Sequence, residues 1–231
     1  MNTVERYRDA STHGKQYKTN ILFDGIQYEV SVFFAPFTKG SKEYKHVVNK
    51  ISTRKQRDDN GKLVTCLGTT GKRIKDDLDT VNTSLYVFVN EKGKATSDQA
   101  TGSLQVKNWS AVIRGHKEGQ VWICDLCRHN PDPAKKSAKS PVKPIMYIFE
   151  QLANYLFGKT QIYLMVEKEK QHVLEPLYKN KYGFSTDSGF KLGDGDDSYI
   201  IMKKDLTPDP EYTQFPFLNK KRKKTLKNLK P

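Results

Sequence analysis

The sequence predicts an α/β protein built on a mixed central sheet flanked by helices, and three stretches carry that prediction. In residues 161–184 (QIYLMVEKEKQHVLEPLYKNKYGF), Ile162, Leu164 and Val166 alternate with Tyr163 and Met165, and a charged helical segment follows that is closed by Tyr182, Gly183 and Phe184. The order is strand, helix, tight exit. A strand apolar on both faces belongs in the interior of a sheet covered on both sides. Residues 120–126 (QVWICDL) form a second dense apolar strand, while Ile145, Ile148, Phe149, Leu152 and Leu156 recur at helical spacing, with Gly158 placed to end their helix.

The other elements follow in order. Residues 1–20 are polar, without a periodic apolar pattern, and are expected to be flexible. Residues 21–34 (ILFDGIQYEVSVFF) predict a strand or hairpin, because Asp24-Gly25 is a turn pair and Ile26, Tyr28, Val30 and Val32 alternate with polar residues. Ser41 is positioned to cap a helix carrying Tyr44, Val47, Val48 and Ile51. A charged turn at 54–62 leads to a short strand at 63–67, and 84–89 (SLYVFV) predicts a strand with 102–109 as its antiparallel partner. After the strand at 120–126 comes a basic, proline-rich loop at 128–144, and a last strand pair is expected at 190–192 and 198–203. The chain therefore suits one domain over 21–206, with a C-terminal extension at 207–231.

Composition narrows the function classes. A hydrophobic fraction of 36% implies a very polar surface around an aromatic-rich core. No apolar run approaches the roughly 18 to 20 residues that a bilayer span needs, and the first twenty residues lack a signal-peptide pattern. An intracellular protein, cytoplasmic or nuclear, is the expectation. The net charge of +14 favours polyanionic partners, and half of it lies in 219–231, which has seven basic residues and no acid. Lys220, Lys221, Arg222, Lys223 and Lys224 suit a targeting signal, a nucleic-acid arm or plain solubilising charge.

Two motifs are set aside. The run GTTGKR at 68–73 has two residues between its glycines and Arg73 after the lysine, whereas a phosphate-binding P-loop needs four and a Ser or Thr. Cys124 and Cys127 with His129 lack a nearby fourth ligand for zinc, and residues three apart on a regular strand point to opposite faces, so no metal site is expected. Three unevenly placed cysteines do not make a disulfide framework.

The ordered run SPVKPIMYIFEQLANYLF, then IYLMV, then LYKNKYGF, then DDSYIIMKKDL resembles the GNAT superfamily of N-acetyltransferases. The resemblance spans roughly residues 84–206 and is clearest over 120–206. It implies a GNAT-like sheet and acetyl transfer from acetyl-coenzyme A to an amine, either a small molecule or a protein lysine. It further implies that the strands at 120–126 and 161–166 splay to admit the cofactor's pantetheine arm. Leu126, Cys127, Arg128, Lys139, Ser140, Val142 and Lys143 then fall at cofactor-binding positions.

Amine acetylation also requires loss of the ammonium proton, and the resemblance makes Asp125 the candidate base, with Glu118 the second. Tyr178 matches the phenol that protonates the departing sulfur, although its spacing to Gly183 is one residue longer than the usual pattern and Tyr182 competes for the role. Bland readings stand beside each: a strand carboxylate, a turn residue and a helix anchor. At the phosphate site Lys143 and Ile145 fill the family's glycine positions, and Pro141 and Pro144 remove two backbone donors. Lys135, Lys136, Lys139 and Lys143 are then left to supply positive charge through side chains. The alternative reading is a GNAT-fold protein without catalysis, serving as a basic binding or structural component associated with nucleic acid or a viral particle.

Overall fold

Asp24 and Gly25 both adopt positive φ, 49° and 77°, and this left-handed pair turns the chain back on itself in a tight hairpin. The computed structural model describes residues 14–35, 37–53, 55–57, 62–65, 84–93, 99–107, 120–129, 141–155, 157–189 and 198–207. The hairpin joins β1 (Gln16–Phe23) to β2 (Ile26–Phe34), paired from Gln16↔Phe33 to Phe23↔Ile26. Residues 16–20 thus belong to β1, inside the segment expected to be flexible. The cause is a diluted alternation: Lys18 and Asn20 are exposed while Tyr17 and Thr19 are half-buried, and Tyr17 meets the Phe34 ring edge-on at 5.4 Å. Pairing with β2 supplies what the polar sequence lacks in apolar drive.

Helix α1 (Lys42–Thr53) starts where the Ser41 side chain satisfies an orphan amide: the Tyr44 N–H donates to Ser41 Oγ at 3.1 Å. The short strands β3 (Lys55–Arg57) and β4 (Leu63–Thr65) pair antiparallel as a separate ribbon. The main sheet continues with β5 (Ser84–Glu91), β6 (Gln99–Lys107) and β7 (Gln120–His129). Helix α2 (Val142–Tyr155) crosses back to β8 (Gln161–Glu167). A single 3₁₀ turn then leads to α3 (Gln171–Tyr182), β9 (Ser185–Thr186) and β10 (Tyr199–Asp205). Two boundaries differ from expectation. The loop expected at 128–144 is shortened at both ends, because β7 stays paired with β6 to His129 and α2 already begins at Val142. The expected strand at 190–192 lies outside the described residues; the observed neighbours of β10 are β8 and β9.

The main sheet has eight strands in the order β1-β2-β5-β6-β7-β8-β10-β9. Its described pairs are antiparallel except β7 with β8, which run parallel and need α2 as their crossover. One face buries Val30, Val87, Ile123, Ile162 and Leu164 under Ile145, Phe149 and Leu152 of α2, with Leu174, Tyr178 and Tyr182 of α3 packed alongside. The opposite face carries Phe33, Tyr86 and Phe88 against Val47 of α1, and further along it Trp122, Tyr163 and Ile201. The result is helix, sheet, helix in three layers, the α/β class the sequence predicts. Among the described residues no helix is long and apolar enough to cross a membrane.

The Ser41 cap gives a direct test of this local chemistry. Ser41→Ala should lower stability by about 1 kcal/mol, read from the urea unfolding midpoint, and Ser41→Asp should restore it. Equal loss in both variants would mean that the cap is not what holds the start of α1.

Candidate functional site

The parallel strands β7 and β8 pair at two positions, Trp122↔Tyr163 and Ile123↔Leu164. Beyond them the strands part. β7 continues on β6 as far as Gln99↔His129, while β8 continues on β10 as far as Tyr199↔Glu167. The local cause lies in β7: Leu104 faces Ile123 but Ser103 faces Asp125, so Cys124 is an extra residue in the ladder. A bulge of this kind bends its strand and raises the local twist, and it falls immediately after the last parallel pair. β8 keeps the other way, with Met165, Val166 and Glu167 facing Ile201, Ile200 and Tyr199 of β10; at its start Tyr163 donates to Gln161 Oε1 at 2.7 Å and Gln161 Nε2 donates to Asp205 Oδ1 of β10 at 2.7 Å. The outcome is a gap in the sheet, walled by backbone from Cys124 onward on one side and from Met165 onward on the other. Among the described residues those walls have no strand between them.

Several expected site residues sit on this wall. Asp125, Leu126, Cys127 and Arg128 lie opposite Ser103, Gly102, Thr101 and Ala100. Leu126 packs against the helix-covered core, and Cys124 joins the other face beside Trp122. The side chains of Asp125, Cys127 and Arg128 lie outside what is described, as do Glu118, Lys135, Lys136, Lys139, Ser140, the 68–73 run and the tail at 220–224. The bulge also bears on the reading of the cysteines: it falls at Cys124 itself, so the strict alternation used to set Cys124 and Cys127 on opposite faces does not hold at that position. Among the described residues no group of three or more His, Cys, Asp or Glu is arranged to hold a metal ion.

The start of α2 sets the electrostatics of an anion site. Pro141 and Pro144 are both buried, Pro144 offers no N–H, and the Ile145 N–H is directed at the Pro141 carbonyl at 3.4 Å. A cradle of free amides is therefore much reduced there. Val142 packs on the core, and Lys143 is exposed at the helix start.

Tyr178 is delivered by α3. Leu174, Tyr178 and Tyr182 fall four residues apart and pack on the same core. Gly183, at φ 72°, ends the helix: its N–H donates to Lys179 O and the Phe184 N–H to Tyr178 O, both at 3.2 Å. That reversal seats the Phe184 ring edge-on to Tyr178 at 5.9 Å, with Tyr182 at 6.0 Å. Burial, helped by Tyr182, pushes the Tyr178 phenol up to about 12. Tyr178 thus stays protonated through neutral pH. Tyr182, its rival, instead lines a separate groove with Lys143, Tyr147 and Lys181.

One residue that the sequence did not mark holds α3 in place. Glu175 accepts from Thr186 Oγ1 of β9 at 2.5 Å, from Gln171 Nε2 at 2.7 Å and from Lys179 Nζ at 2.8 Å. The hydrogen bond with Lys179, then those from Thr186 and Gln171, hold its carboxyl down at about 2. A Glu175–Lys179 spacing of four was visible in the sequence, but Thr186 was not, because that contact exists only once the Gly183 turn has formed.

No family model matches the chain, and no curated protein matches it. Solved structures do. The chain is similar to an acetyltransferase of the GNAT family from Listeria monocytogenes, at 13% identity and a TM-score of 0.48, covering 81% of this chain and 99% of that one. It is similar to the GNAT domain of S. lividans PAT, at 11% identity and a TM-score of 0.46, covering 82% and 97%. It is also similar to the spermidine/spermine N-acetyltransferase from Vibrio cholerae, at 12% identity and a TM-score of 0.36, covering 82% and 98%.

The depressed Glu175 carboxyl has a signed consequence. Its folded value lies below the ordinary carboxylate value, so its contribution is present above about pH 4.5 and is lost as pH falls toward 2. Glu175→Gln should therefore be less stable than the parent chain at pH 7, with the difference shrinking as pH is lowered through that window. Urea midpoints at several pH values measure it, and a difference that stays constant to pH 2 would contradict the network.

Proposed function

We propose that the protein transfers an acetyl group from acetyl-coenzyme A to an amine, with the gap between β7 and β8 as its cofactor cleft. The observation that carries this reading is the parting of a parallel pair after two residue pairs, on the sheet face that also receives Tyr178. Backbone N–H and C=O groups along a parted strand are suited to the amides of an extended arm, which they bind as they would a neighbouring strand. Acetyl-coenzyme A supplies the activated acyl group when bound. Its phosphates fit less well, because Pro144 and the Ile145–Pro141 bond remove backbone donors. Lys143 is the described residue that would answer them, through its exposed side chain.

The chain's own residues then divide the proton work. An amine near its ordinary pKa of about 10.4 is protonated at neutral pH and needs a base. Asp125 on the β7 wall takes that role, with Glu118 ahead of the strand as the second candidate. Tyr178 holds a proton at its phenolic oxygen, as a proton donor at the end of the reaction must. The acceptor is a small amine or a protein lysine. The lysine-rich segment at 220–224 is proposed as an arm for polyanions, nucleic acid among them, whose attachment weakens with salt.

Binding to the native state raises stability, so acetyl-coenzyme A at millimolar concentration should raise the melting temperature. No shift at that concentration would overturn the proposal and favour a non-catalytic binding protein, the reading that the prolines at 141 and 144 support. In steady-state kinetics Tyr178→Phe should lower kcat by about 100-fold or more with little change in KM, whereas Lys143→Ala should act mainly on the KM for acetyl-coenzyme A. An unchanged kcat in Tyr178→Phe would remove Tyr178 from the chemistry.

A further inference from the structure

A groove of about 410 Å³ lies on the helix layer, built from the first turns of α2, the end of α3, the β1–β2 turn and Lys204 of β10. None of its lining residues belongs to β7 or β8, so it is distinct from the strand gap. Its volume is within the range of small-molecule sites. The walls are amphipathic: Met146, buried, lies with the half-buried rings of Tyr147 and Tyr182, and Phe23 stacks at a tilt on Tyr147 at 5.6 Å.

Charge decides what such walls would hold. The groove presents three ammonium groups, Lys143, Lys181 and Lys204, against two carboxylates, Asp24 and Glu150. Lys204 and Glu150 neutralise one another at 2.6 Å, both largely withdrawn from solvent. That pair leaves Glu150 unable to serve a cationic ligand without giving up Lys204. Lys143 and Lys181 are exposed, and neither makes an ion pair among the described residues. With Asp24 set against the two exposed ammonium groups, one positive charge is left in excess, and aromatic and thioether surface beside it is complementary to a planar ring carrying a strong anion.

We propose that this groove binds a small aromatic phosphate of the nucleotide type, its ring against Tyr147 and Tyr182 and its phosphate at Lys181 and Lys143. The proposal uses no residue of the gap strands and shares one residue, Lys143, with the phosphate contacts proposed for acetyl-coenzyme A. Such a phosphate has two sources, a free nucleotide or the nucleotide end of a larger cofactor. The Glu150–Lys204 pair acts as the charge regulator of the floor: removing the carboxylate would release a third ammonium group to the ligand.

Calorimetric titration of the full chain with AMP tests this, with adenosine and inorganic phosphate as partial probes. AMP should bind at least 10-fold more tightly than either fragment. Lys181→Ala should weaken AMP binding by about 10-fold, and Glu150→Gln should tighten it several-fold, a gain that misfolding does not produce. Equal affinity for AMP and phosphate would overturn the proposal. So would full affinity in Lys181→Ala, which would put AMP elsewhere on the chain, such as the lysine-rich segment at 219–231. Repeating the titration with saturating acetyl-coenzyme A separates the sources. Retained AMP affinity marks a free nucleotide, and competitive loss marks the nucleotide end of the cofactor, with the same groove chemistry supported in both cases.

Discussion

A parallel pair of strands set inside an otherwise antiparallel sheet is the constraint on which this molecule is built. Because β7 and β8 run the same way, the chain must cross the sheet between them, and α2 is that crossing. The crossover explains why the helix of highest apolar density sits against the centre of the sheet, with Ile145, Ile148, Phe149 and Leu152 fully buried. Deletion of any one of these side chains would cost the transfer energy and a cavity together. The same pair then separates, because Cys124 is an extra residue in β7 and because β8 stays paired with β10 as far as Glu167. A sheet that is continuous elsewhere is thus opened at one place by two opposing local preferences.

The phenol that the proposed chemistry uses is set by α3. Gly183 reverses the chain at the helix end, Phe184 returns onto Tyr178, and Glu175 ties the helix to Thr186 of β9. These contacts desolvate the Tyr178 phenol and keep it neutral well above physiological pH. At the start of α2 the balance runs the other way. Two prolines withdraw backbone donors from the place where a helix terminus would otherwise attract phosphate. In the proposed function, side-chain charge at Lys143 would stand in for directional amides as a mobile point charge, giving attraction with less geometric selection.

Local chemistry made much of this legible in the sequence. Asp24-Gly25 specified a hairpin because a two-residue turn needs two positive φ angles, and Ser41 specified a helix start because a hydroxyl there satisfies an amide. Gly183 marked the end of α3 for the same kind of reason. What escaped was tertiary in origin. The strand from Gln16 is polar and is ordered by its partner β2, and nothing in the letters around Cys124 announces that β6 will accept one residue more on β7 than on its own side. The groove of Phe23, Tyr147, Lys181 and Lys204 joins four elements distant in sequence, so no motif spacing reports it. Glu175 was visible as a helix pair with Lys179, but its tie to Thr186 depends on the turn between them.

The central claim is that the parted strands form a cofactor cleft, and backbone hydrogen exchange tests it at the strands themselves. Amides from Cys124 to His129 on β7 and from Met165 to Glu167 on β8 should gain protection when coenzyme A is added, while those of the β1–β2 hairpin stay unchanged. Protection spread evenly over the chain, or none on either strand at millimolar coenzyme A, would contradict the claim.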